Sequence, residues 1–128
     1  MSKIILASSA LLALLKKEKG AHKIEGLLGQ IVMSSVTISE TAAILLKLGL
    51  SNQEVQQCLS PLISLIVPFD EEQAFYAAAL SQQTQRIRLS FRARACLSLG
   101  MKMKMPVYTA DPKWKELRLA TPTIKFIG

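Results

Sequence analysis

Residues 4–15 read IILASSALLALL. Ile4-Ile5-Leu6 carries apolar side chains on both faces, as a central strand of a parallel sheet does. Ser8 or Ser9 can then cap a helix predicted to begin near Ala10 and to end by Gly20. The strand-then-helix unit recurs. His22–Leu28 reads as a short helix stopped by Gly29, and Ile31–Met33 as a second strand. Thr37-Ile38-Ser39-Glu40 has capping-box spacing for a helix to Leu48, and Ser51-Asn52-Gln53-Glu54 repeats it for a helix ending near Pro61. Leu65–Val67 is a third predicted strand. Asp70 caps a helix from Glu71 to about Gln85, and Ser90 one from Phe91 to about Leu99. Pro106–Thr109 is a fourth strand, Pro112 opens a short turn through Trp114, and Thr123–Ile127 is the last strand. Such alternation predicts an α/β fold with a mostly parallel sheet. Its functional crevice lies beyond the carboxyl ends of the strands. That places Ala7–Ser9, Ser34–Glu40, Pro68–Asp70 and Thr109–Asp111 at the crevice.

The 128 residues suit one domain, 1–128, and are too few for two ordinary cores. Half are hydrophobic, which excludes general disorder. The apolar run to Leu15 is too short to span a bilayer, and Lys16-Lys17-Glu18-Lys19 follows it where a signal peptide needs a cleavage site. The expectation is a cytoplasmic protein with no membrane partner. A net charge of +7 points to a polyanionic partner. The bases fall in three groups: Lys16, Lys17, Lys19 and Lys23; Arg86, Arg88, Arg92 and Arg94; and Lys102, Lys104, Lys113, Lys115 and Arg118. Any one can be a solvated face, but three with few acids among them raise the prospect of phosphate contact. Aromatics at 5% argue against a stacking platform for bases.

Little conventional chemistry fits. There is no phosphate-cradling glycine loop. His22, the only histidine, falls on a polar helix surface, and Cys58 and Cys96 sit among apolar helix neighbours. Two acids do occupy crevice positions, Glu40 after the second strand and Asp111 after the fourth. Together they can share a hard divalent cation. Each also has a bland reading: Glu40 completing a capping box with Thr37, and Asp111 capping the turn at Pro112.

The order of pieces resembles the PIN-domain ribonuclease toxins of bacterial VapBC toxin–antitoxin modules, along essentially the whole chain. ILASSALLALLKKEKGAHKIEGLL (5–28) is similar to the family's first strand and helices. MSSVTISETAAILLKLGLS (33–51) is similar to its second strand and the helix with an internal Glu, and VPFDEEQAFYAAAL (67–80) to its third strand and helix. RLSFRARACLSLGMKMKMPVYTADPKW (88–114) is the most specific piece. It resembles the segment where Asp-Arg-Ala-Cys opens a helix and Thr-x-Asp follows the fourth strand.

The resemblance implies a three-layer α/β/α fold and an endoribonuclease whose four acids bind one or two Mg²⁺ or Mn²⁺ ions. Glu40 and Asp111 match two of the four as catalytic and metal-binding residues. The other two positions hold Ala7, in Ala7-Ser8-Ser9, and Ala93, before Arg94-Ala95-Cys96. The implied chain is therefore inactivated, its metal weakly bound or absent. Alanine at both positions reads as deliberate inactivation of a toxic enzyme, or as natural decay into a non-catalytic RNA- or antitoxin-binding module. Supporting roles fall to Ser9 and Thr109 through hydrogen bonds, and to Arg94 by bracing a carboxylate or touching RNA phosphate. The implied partners are an RNA substrate, a second copy of the chain and a cognate antitoxin. The antitoxin would seat on apolar helix faces at Ala10–Leu15 and Thr41–Leu48, its acidic tail near Arg86–Arg94. Without the resemblance, a small α/β ligand-binding domain is the remaining reading.

Overall fold

In the computed structural model, which describes residues 3–128, β1 (Ile4–Leu6) lies mid-sheet with every side chain buried. It is followed by α1 (Ser8–Leu15), α2 (Ala21–Glu25), β2 (Ile31–Ser34), α3 (Ser35–Lys47), α4 (Asn52–Leu59), β3 (Leu65–Val67), α5 (Glu71–Gln83), α6 (Phe91–Met103) and β4 (Val107–Thr109). A 3₁₀ turn (Pro112–Glu116) and β5 (Ile124–Phe126) complete the chain. The five strands run in the order β3-β2-β1-β4-β5, each parallel to its neighbours. Ile5 pairs with Val32 on one side and Val107 on the other.

The two-residue period of the strands sorts the core into two layers. Ile4, Leu6, Ile31 and Met33 pack with Leu11, Ile24, Leu45, Val55 and Leu59, from α1 to α4. Ile5, Ala7, Val32 and Val107 pack on the other face with Leu80 of α5, Cys96, Leu97 and Leu99 of α6, and Trp114. Three α/β/α layers result, as expected. α6 lies close against β4: a Cβ at Gly100 would sit 2.7 Å from Val107 Cγ2 and 2.9 Å from Pro122. That contact fixes the height at which the start of α6 meets the strand ends.

Two predicted helix starts move. α1 begins at Ser8, with Ala7 as an N-cap that offers no side-chain bond, so Ser8 and Ser9 sit inside the first turn. α3 begins at Ser35, directly from β2, and Ser34 caps it by accepting from the Val36 N–H at 3.2 Å. Thr37 and Glu40 therefore form no capping box and lie within the helix. The caps at Ser51–Glu54, Asp70 and Ser90 form where the spacing predicts. Among the described residues no helix is long and apolar enough to cross a membrane.

Candidate active site

Strand order reverses between β1 and β4: from β1 the chain builds outward to β2 and β3, then returns to lay β4 and β5 on the other side. Two loops part there and leave a crevice at the carboxyl ends. The crevice holds a cavity of about 160 Å³ lined by Ala7, Thr37, Glu40, Ala93, Asp111 and Arg92, among others. All four positions singled out in the sequence thus open on one space. They come from the end of β1, the second turn of α3, the first turn of α6 and the loop after β4.

Ser9 and Thr109 support this space through the backbone. Their hydroxyls meet at 3.1 Å, Ser9 Oγ accepts from the Ala110 N–H at 2.9 Å, and Thr109 Oγ1 from the Asp111 N–H at 3.0 Å. Ser8 Oγ lies 3.0 Å from Thr41 Oγ1, tying α1 to α3. Asp111 caps the 3₁₀ turn, its Oδ1 accepting from the Lys113 N–H at 2.9 Å. Its other oxygen has no protein partner among the described residues.

Glu40 meets Arg92, whose Nε lies 3.1 Å from Oε2; the Glu40 side chain is 20% exposed and that of Arg92 60%. Burial pushes the Glu40 carboxyl above its ordinary range, and the guanidinium opposes the shift only in part. Sequence reasoning passed over Arg92 in favour of Arg94. Arg94 points away from the cavity: its Nη1 donates to the Ala77 carbonyl of α5 at 3.0 Å, and its guanidinium lies 5.8 Å from the Phe91 ring. It braces two helices, not a carboxylate. The 100° step per helical residue explains this, since 92, 93 and 96 share a face that 94 leaves. Burial pushes the Cys96 thiol up to about 12, which removes it as a nucleophile. Cys58 is half-buried and His22 exposed.

The sequence matches the PIN domain family over residues 4–119. This chain belongs to the PIN-domain family. No curated protein matches it. Among solved structures, this PIN chain is similar to a DNA-bound VapBC complex from Salmonella typhimurium, at 15% identity and TM-score 0.75, with both chains covered fully. VapBC2 from Rickettsia felis, bound to a DNA fragment from its promoter, gives 18% identity and TM-score 0.72 over 96% of this chain and 97% of that one. A sarcin–ricin-loop-cleaving VapC toxin from Mycobacterium tuberculosis gives 13% identity and TM-score 0.70 over 94% and 100%. At these identities the structures establish the shared fold.

The residues of this PIN cavity do not fit a divalent cation. Among the described residues no three His, Cys, Asp or Glu side chains come together to hold one. Glu40 is already partnered by a guanidinium, and Asp111 commits one oxygen to a backbone amide. Ala7 and Ala93 offer no donor. The other side-chain oxygens on the wall are neutral hydroxyls: those of Ser8, Ser9 and Ser90 are engaged in hydrogen bonds, and Thr37 Oγ1 is buried without a partner. Hard divalent ions need several oxygen ligands and compensating negative charge.

Proposed function

We propose that this chain is a toxin-type PIN endoribonuclease of a toxin–antitoxin system in catalytically disabled form, and that residues 1–128 act as one PIN unit. The observation that carries it is the cavity, where Ala7 and Ala93 stand beside Glu40 and Asp111 at the strand ends. An active PIN site would use Mg²⁺ or Mn²⁺ to activate water and to neutralise charge on a phosphodiester. Here the Arg92 guanidinium neutralises Glu40, and two donors are gone. The chain keeps the scaffold of the site and lacks its ligand set.

The remaining activity is binding. Leu46 of α3 and Leu48, the residue that caps its carboxyl end, are 41% and 60% exposed, and Leu12, Leu14 and Leu15 of α1 are half-buried. These apolar side chains suit an antitoxin segment, consistent with the VapBC complexes among the structural neighbours. The proposal also carries a cytoplasmic location, a homodimer and RNA as the polymer the intact site would cut. A second reading, a naturally non-catalytic PIN module that binds RNA or antitoxin, is favoured by the Arg92–Glu40 pair, because it gives Glu40 a partner that needs no metal. The substitutions Ala7→Asp and Ala93→Asp together decide between the two. Mg²⁺-dependent RNA cleavage by the double variant supports a disabled enzyme, and a still inert variant supports the binding module. Cleavage by the unaltered chain overturns both. Calorimetry with the antitoxin encoded beside this protein tests the partner: binding should survive with alanine at 7 and 93.

A further inference from the structure

Arg86, from the second basic group, meets Lys113 and Arg118, from the third, across one groove. The C-terminal end of α5 and the turn after it face the 3₁₀ turn across a groove of about 770 Å³. Arg86, Lys113 and Arg118 line it with Gln82, Gln83 and Gln85, and Glu116 is its only acid. All three cations are exposed, and none has a carboxylate within salt-bridge distance among the described residues. Arg118 Nη1 lies 3.4 Å from the carbonyls of Lys115 and Leu117, which orders its guanidinium at the rim. Along the chain, the groove lies one residue from the lining of the cavity at the strand ends. The Lys113 N–H is bonded to Asp111, and Trp114, the next residue, lines the cavity wall.

The first basic group has an internal explanation that this one lacks. Lys16, Lys17 and Lys19 follow the carboxyl end of α1, where the helix dipole favours cations. That end points away from the strand ends that bear the cavity. Arg86, Lys113 and Arg118 gather instead around open space beside it. Long amide side chains among cations add donors and acceptors for a partner that carries both phosphates and polar edges.

We infer that this groove is a track for the backbone of single-stranded RNA leading to the cavity. The choice of RNA rests on the reading of the chain as a ribonuclease relative. Binding along the track needs no metal. Anisotropy of a fluorescein-labelled single-stranded RNA, titrated in EDTA at several salt concentrations, tests it. The triple variant Arg86→Gln, Lys113→Gln, Arg118→Gln should bind about tenfold more weakly or worse. It should also lose about 2 units of log–log salt slope, near 0.7 per phosphate contact. The variant Lys16→Gln, Lys17→Gln, Lys19→Gln removes the same charge and should change affinity by less than about threefold, as charge remote from the contact does. Equal losses in the two variants would reduce the effect to net charge and overturn the track. So would an unaltered chain that does not bind RNA. A groove variant that loses the antitoxin's acidic tail but keeps RNA would also overturn it. Because EDTA removes any metal, failure here leaves the cleavage test of the disabled site standing.

Discussion

Glu40 and Asp111 face one cavity, but the chain holds them in opposite ways. Asp111 sits in a loop pinned by the Ser9–Thr109 hydroxyl pair, and its carboxylate caps the next turn. Glu40 projects from the second turn of α3, a helix already capped by Ser34. Among the described residues its one partner is Arg92. Asp111 would be kept for folding alone. Glu40 caps no helix or turn, its one tie is the exposed guanidinium of Arg92, and burial works against its charge. A half-buried carboxylate that caps nothing marks a site more clearly than one that also caps a turn. The alanines fit the same division. The Ala93 N–H is capped by Ser90 and the Ala7 carbonyl starts α1, so neither position needs a side chain for the fold.

The largest effect should be catalytic, and there the two acids should behave alike. With Ala7→Asp and Ala93→Asp in place, Mg²⁺-dependent cleavage followed on gels should rise by orders of magnitude, since metal activation is worth several kcal/mol. In that background Glu40→Gln and Asp111→Asn should each abolish it. Survival of activity in either would break the pairing of the two acids.

Stability should then separate them. Thr109→Val removes two bonds from a buried hydroxyl and should cost about 1–3 kcal/mol in urea unfolding. Asp111→Ala loses a cap and should cost about 1 kcal/mol. Glu40→Gln should cost no stability near neutral pH and should raise the unfolding midpoint slightly, because it removes a charge that burial disfavours. A large loss there would show that the Arg92 pair is structural, and that the contrast is misread.

The smallest effect is its pH dependence. Burial raises the folded-state carboxyl of Glu40 above its ordinary value of 4.5, so the folded chain binds more protons than the unfolded one in the window above it. Stability attributable to Glu40 therefore falls as pH rises through the window and is regained as pH drops toward 4.5. Glu54 and Asp70, held below their ordinary values, act in the opposite sense and lose their contribution as pH falls. The midpoint difference between Glu40→Gln and the parent should shrink on acidification, and growth of that difference would refute the assignment.

Much of this was legible in the sequence where local chemistry decides. Ser51, Asp70 and Ser90 cap the helices their spacing predicts, and the apolar runs at Ile4–Leu6 and Ile31–Met33 are buried on both faces. The Thr37–Glu40 box failed because a Thr and a Glu three residues apart can equally lie inside a helix that has started earlier. β2 passes into α3 without a loop, and nothing local marks Ser34 as the cap. The exchange of Arg92 for Arg94 has a similar origin: two arginines two residues apart differ by more than half a turn. Which one meets Glu40 depends on how α6 is rotated against α3, a tertiary matter. β3 is as apolar as the strands beside it yet lies at the sheet edge, with Leu65 and Ile66 exposed, a position that its three residues do not mark.

The bond between Ser9 and Thr109 spans 100 residues of chain. On a ribosome adding about 5–20 residues per second, Ser9 waits about 5–20 s before its partner has been made. Until β4 slides in beside β1, the strands flanking the crevice do not exist as neighbours, and no cavity stands at their ends. Any chemistry or recognition that uses the cavity is therefore withheld from the nascent chain. The surfaces of α1 and α3, complete by residue 47, are available first. A partner made in the same place can reach those helices while the cavity is still unbuilt.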